Sequence, residues 1–352
     1  MSNLAKINQL GQSVWLDNLS RNIIQNGELS QFIQQHKVTG VTSNPAIFFK
    51  SFSNDKLYSD DVAKVKQLTN VSLEQRYEGI VIQDIQACCD LLKHTYVASN
   101  KKDGFVSLEL SPEVANNTLA TIENALRLSR LVNRDNLMIK IPATKEGIEA
   151  LEELTYLGLN INITLLFSIS QVEKTWNAYI RGIKRRSADG KTLTNRSVAS
   201  FFLSRIDALL DPKLSNELKG KVAIAIARVL YDKYQKLFHT DDFAPLLKSG
   251  ATGQYLLWAS TATKDPNYSD VMYIEELIGA DTVNTIPDNT LKAFIDHGNA
   301  ASRLTNNVVE SYAILDAVKK DGFDLEYIGA TLQKDGLAQF ETAFASLLEL
   351  LG

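Results

Sequence analysis

Cysteine and histidine are scarce in this 352-residue chain. There are two cysteines, adjacent at Cys88 and Cys89, and four histidines, His36, His94, His239 and His297, no two of them close in sequence. The cysteines sit in an amphipathic helical pattern, "EQRYEGIVIQDIQACCDLLKH". Reduced thiols without a disulfide framework are expected there, which suits a cytosolic protein. The Cys and His spacings fit no metal-ligand pattern, so no metal is expected. No run approaches the about 18 apolar residues of a membrane-spanning helix. The N-terminal "MSNLAKINQLGQSVWLD" lacks the apolar region of a signal peptide. Positive charge is not in excess either: 37 Lys and Arg against 41 Asp and Glu leave a formal net charge of −4, which argues against a nucleic-acid partner. The short basic cluster Lys184 to Arg186 reads as a helix end. There is no G-x-G-x-x-G stretch and no P-loop.

What is present is ordinary globular composition, 45% hydrophobic and 22% charged, in a chain long enough to build a core without disulfide or metal staples. Eight short apolar runs, rich in β-branched residues, alternate with helical patterns: 13–17, 38–45, 104–110, 137–144, 159–168, 197–207, 255–261 and 281–287. This alternation predicts a parallel sheet closed into a (β/α)₈ barrel, with an open doubly wound sheet as the alternative. The glycine-free "WLDNLSRN" after the first run speaks against the open sheet, whose first turn is usually Gly-rich. No linker divides the chain, so residues 1–352 are read as one domain with helical insertions at 46–103 and 207–253. The first insertion is available as a homodimer surface or as a cover for the barrel floor.

Polar residues recur where these strands end: Asp17; Thr42, Ser43 and Asn44; Glu109; Lys140; Asn162 and Thr164; Ser200, Ser204 and Arg205; Ser260 and Thr261, followed by Lys264. A barrel core built for stability alone favours Val, Ile and Leu, and the carboxyl ends of the strands are where barrel enzymes work. Singly, each residue also has a plain reading as a turn or cap. Lys140 is the sharpest case, because it interrupts the buried-looking "LMIKI". An unpaired ammonium there is costly. It is an ion pair with Asp17 or Glu109, a side chain that snorkels to solvent, or an amine that attacks a substrate carbonyl to form an imine. Imine chemistry needs proton carriers, and Asp17 and Glu109 are the available pair. Arg205 and Lys264 suit an anionic end such as a phosphate.

"GVTSNPAIF", "NLMIKIPATKEGIEAL" and "NINITLLFS", in this order, resemble the transaldolases, closest to their longer bacterial and plant-like branch. "SVWLDNLSR", "FVSLELSPEVANNT", "ASFFLSRID" and "WASTATKDPNYSD" extend the resemblance over essentially the whole chain. It implies a (β/α)₈ enzyme of the non-oxidative pentose phosphate pathway that needs no cofactor. Such an enzyme moves a dihydroxyacetone unit from sedoheptulose 7-phosphate to glyceraldehyde 3-phosphate through a lysine Schiff base. Carried over by position, the resemblance makes Lys140 the Schiff-base lysine and Asp17 the acid/base of C–C cleavage. Glu109 and Thr164 become the pair that positions a catalytic water. Thr42, Asn44, Asn162 and Ser200 line the dihydroxyacetone pocket, and Arg205 binds phosphate.

Two positions stand out. The family often places a second phosphate arginine just after strand seven, but this chain reads "WASTATK", so Lys264 with the hydroxyls of Ser260 and Thr261 is the expected replacement. Phe202 stands where related aldolases that release free dihydroxyacetone tend to carry tyrosine, which favours transfer over a fructose-6-phosphate aldolase-type lyase. A non-enzymatic sugar-phosphate-binding barrel is disfavoured, because Lys140, Asp17 and Glu109 are all present.

Overall fold

A computed structural model describes residues 2–352. Eight parallel strands close into a barrel in chain order: β1 (Gln12–Leu16), β2 (Gly40–Thr42), β3 (Val106–Glu109), β4 (Leu137–Pro142), β5 (Ile161–Leu166), β6 (Ser197–Phe202), β7 (Tyr255–Ala259) and β8 (Thr282–Ile286). Each strand falls inside or at the edge of an apolar run read from the sequence, and the loops trim the ends. The largest trim is at β6. The run 197–207 was expected to carry Ser204 and Arg205 as strand residues, but the strand stops at Phe202. The backbone NH of Leu203 bonds the carbonyl of Ala259, and a helix, Ser204–Leu210, starts at once. Arg205 is therefore a first-turn helix residue.

Alternation along the strands sends one set of side chains into the barrel. Its floor is a packed cluster of Trp15, Phe105, Met138, Val198, Leu257 and Val283, all buried. The Trp15 indole NH donates to Asp103 at 2.9 Å, and Ser13 donates to the other oxygen of that carboxylate. Gly40 is required beside it, since a Cβ there would lie 2.5 Å from the indole ring. The outward faces of the strands pack against the surrounding helices in the main core, which also takes in the free thiols of Cys88 and Cys89.

Helices fill the two long insertions: Pro45–Asn54, Ser59–Lys66 and Leu73–Ala98 between β2 and β3, and Ser204–Leu210, Val222–Phe238 and Ala244–Lys248 between β6 and β7. The helix Val222–Phe238 follows Gly220, which turns through a left-handed conformation. The basic cluster Lys184–Arg186 does lie at a helix end, in Ile169–Ala188. The last helix, Leu325–Leu350, buries Gly329, Leu332, Gly336, Phe340, Phe344 and Leu347. It is pinned near the strand ends: Gln333 Nε2 donates to the carbonyls of Ala143 and Leu165, both at 2.9 Å, and Glu326 accepts from Ser168 Oγ at 2.6 Å. No helix among the described residues is long and apolar enough to cross a membrane.

Candidate active site

A cavity of about 240 Å³ opens at the carboxyl ends of the strands. Asn44, Glu109, Lys140, Thr164, Phe202 and Arg205 line it, together with Gly336, Gln339, Phe340 and Ala343 of the last helix. A larger cleft of about 660 Å³ lies outside the barrel among Lys145, Lys174, Arg181 and Glu326. It holds none of the strand-end candidates, so size does not identify the site.

Lys140 is the centre. Strand register sets it beside Glu109 on β3 and Asn162 on β5. Its Nζ donates to Glu109 Oε2 at 3.1 Å and to the Ser43 carbonyl at 3.3 Å, and both side chains are buried. Of the three readings of Lys140, snorkelling fails: the amine stays inside and pairs with Glu109. An ion pair and a nucleophile are not exclusive, because the same amine also faces the cavity.

The carboxylates share one environment. Burial pushes the Glu109 carboxyl above the ordinary carboxylate range, opposed by the charge and the hydrogen bond of Lys140 and reinforced by Asp17. Burial likewise raises Asp17, opposed by Lys140 and by the hydroxyl of Thr42, which donates at 2.8 Å. Raised values equip both groups to carry protons nearer neutrality than a free carboxylate does.

Asp17, Thr42, Asn162 and Ser200 do not line the cavity; they form a polar layer inside the barrel. Thr42 also bonds Thr285 at 2.7 Å, Ser200 donates to Asn162 Oδ1 at 2.6 Å, and Asn162 Nδ2 donates to Ser107 Oγ at 3.1 Å. Asn44 serves two ends. Its Oδ1 caps the helix Pro45–Asn54 through the NH of Ile47, the plain reading of an Asn before Pro, while the residue also faces the cavity.

Thr164 is placed by an irregularity. The register of β5 against β6 shifts between Ile163 and Leu166, and Leu165 adopts φ 62°, a conformation uncommon for a branched side chain. Thr164 Oγ1 is buried with no hydrogen-bond partner. A buried hydroxyl left unpaired costs about 1–3 kcal/mol, so a water or substrate group is the natural partner. Arg205 is a second group without a protein partner, though only half-buried. No carboxylate among the described residues meets its guanidinium, burial holds its pKa below the ordinary arginine value, and the Phe202 ring lies 5.6 Å away.

Ser260 and Lys264 are elsewhere. Ser260, in a left-handed conformation after β7, bonds Ser204 Oγ at 2.8 Å. Lys264 lines a neighbouring cleft with Asp207, Asp211 and Lys219. The sequence reading missed the wall from the last helix. Its local signal at the cavity is Gly336, an unfavourable residue inside a helix.

A buried amine, two carboxylates whose pKa burial raises and an unpaired cation gathered at the strand ends describe a (β/α)₈ protein built for chemistry at its carboxyl face. The family model described as "Transaldolase/Fructose-6-phosphate aldolase" matches residues 14–351. A transaldolase of Neisseria gonorrhoeae is 49% identical over 349 residues, covering 99% of both chains. A transaldolase of Thiobacillus denitrificans is 44% identical over 354 residues, 98% of each chain. Transaldolase 2 of a Nostoc species is 43% identical over 372 residues, 100% of this chain and 97% of its own. The chain belongs to the transaldolase/fructose-6-phosphate aldolase family.

Proposed function

We propose that this enzyme is a transaldolase that transfers a dihydroxyacetone unit between sugar phosphates through an imine on Lys140. The observation that carries the reading is the Lys140 amine, 3.1 Å from the Glu109 carboxylate, in a cavity that also holds the unpaired hydroxyl of Thr164. In this reading Glu109 accepts a proton from Lys140 and frees the amine to add to the ketose carbonyl. Glu109 and Thr164 hold the water that is lost as the imine forms and is used again when it is hydrolysed. Asp17 takes the proton of the substrate hydroxyl while the C–C bond breaks, and the protonated imine accepts the electron pair. Arg205 holds the phosphate, because a guanidinium with no protein partner is free to meet one. Thr42, Asn162 and Ser200 orient the remaining hydroxyls. Phe202 adds no proton donor, so the enamine persists until an aldehyde acceptor arrives. The buried free thiols support a reducing, cytoplasmic setting.

The test is incubation with fructose 6-phosphate and borohydride, followed by peptide mapping. A stable adduct on Lys140 is expected, with free dihydroxyacetone accumulating only marginally whether or not erythrose 4-phosphate is supplied. No adduct on Lys140 would sink the imine. Rapid release that ignores the acceptor would make the enzyme a lyase.

A further inference from the structure

The residues expected to complete the phosphate end after β7 do not share a cavity with Arg205, whereas the last helix does. Gly336, Gln339, Phe340 and Ala343 recur at i, i+3, i+4 and i+7, so one stripe of this helix faces the site. The helix backbone comes close there. A Cβ on Gly336 would lie 3.0 Å from Leu165 Cδ2 and 3.5 Å from Arg205 Nη1. The approach to Leu165 is the tight one, and 3.5 Å from the guanidinium is ordinary contact, so the helix backbone passes close to both. One turn on, Gln339 is exposed at the mouth of the same cavity, and its carboxamide makes no hydrogen bond among the described residues.

From this juxtaposition we infer that Gln339 is a specificity-determining residue for phosphorylated substrates, donating its amide NH to the anion that Arg205 holds. The inference rests on the reading of Arg205 above. A phosphate has more acceptor sites than one guanidinium fills. Lys264 lines a different cleft, with Asp207 and Asp211, and is not among the residues that share the cavity with Arg205. Gln339 adds donors without adding charge, so its contribution is a hydrogen bond and not a second ion pair.

Gln339→Leu keeps a good helix former at an exposed position, so folding is not at stake. Wild type, Gln339→Leu and Lys264→Met are assayed with fructose 6-phosphate and with fructose as donors, using glyceraldehyde as a common unphosphorylated acceptor. Gln339→Leu is expected to raise KM for fructose 6-phosphate about tenfold, as loss of a hydrogen bond to a charged group does, with kcat within about twofold. For fructose, kcat/KM should change less than about twofold. Gln339→Glu should raise KM for the phosphate sugar further, and the excess should shrink with added salt. Equal losses on both donors would mean a purely structural helix contact and would overturn the inference. So would an unchanged KM, or a larger phosphate-selective loss in Lys264→Met. Borohydride trapping is run in parallel. An adduct absent from wild type indicts the Lys140 reading, whereas the KM ratio reports on Gln339 alone.

Discussion

Met138 and Lys140 lie two residues apart on one face of β4 and meet opposite surroundings. Met138 pairs in register with Ser107 and packs among Trp15, Phe105 and Leu257. Lys140 pairs with Glu109 and opens onto a cavity. One step along the barrel axis separates a filled floor from a polar mouth. Close packing below fixes the strands, and the fixed strands hold the Lys140–Glu109 pair at 3.1 Å. The mouth leaves Thr164 and Arg205 without protein partners, an arrangement that stability alone would not select.

The sharpest way to break this contrast is to extend the floor upward by one layer with Lys140→Met. Turnover should fall on the order of 10³-fold or more, as when a covalent nucleophile is removed. The protein should still fold. Removing one partner of a buried pair costs about 3–5 kcal/mol while the other stays charged. Glu109 has an alternative, because burial already holds its carboxyl above the ordinary range and without Lys140 it takes up a proton. A raised folded-state pKa makes stability fall as pH rises through it. Urea unfolding should therefore show a larger loss at pH 8 than at pH 5, and adding Glu109→Gln should remove the difference. Turnover that survives the substitution would end the nucleophile reading. A variant unfolded at both pH values and not rescued by the second change would make the pair structural.

The two regions were also unequally legible in the sequence. The strands were readable because β-branched runs ending in polar residues repeat eight times around the barrel. Lys140, Glu109 and Asp17 were readable because charge inside or at the end of an apolar run demands an explanation. Gly336 and Gln339 were not: they reach the site from a helix nearly 200 residues downstream of Lys140, a long-range packing relation with no local pattern. Lys264 is the converse case. It follows a strand end, but where its side chain goes depends on the loop after Ser260, which turns it to the next cleft.

A smaller effect, on stability instead of rate, is expected from the floor. Met138→Ala should lower unfolding free energy by about 2–5 kcal/mol, the cost of a large-to-small change in a packed core. The kcat/KM of the protein that remains folded should change only a few-fold. Denaturant unfolding and assays well below the transition separate the two. A kcat loss as deep as that of Lys140→Met would mean that floor and mouth are not separate regions.

The smallest expected effect tests whether burial of a carboxylate is enough to make it catalytic. Asp207 is buried outside the barrel, where it accepts from the Tyr273 hydroxyl at 2.7 Å and the Ala223 NH at 2.9 Å. Burial pushes its pKa from 3.8 to about 6, with Asp211 adding to the rise and no cation opposing it. The folded state thus binds the Asp207 proton more tightly than the unfolded chain. Stability should fall as pH rises from about 4 to about 6, by on the order of 3 kcal/mol at most, and level off above. Asp207→Asn should flatten that part of the stability–pH profile and leave kcat within about twofold, because no amine stands beside this carboxylate. Glu109→Gln should also reduce the slope, since burial raises that carboxyl too, but it should lose turnover. If Asp207→Asn lost turnover as well, the distinction between a buried carboxylate and one that shares a cavity with Lys140 would fail.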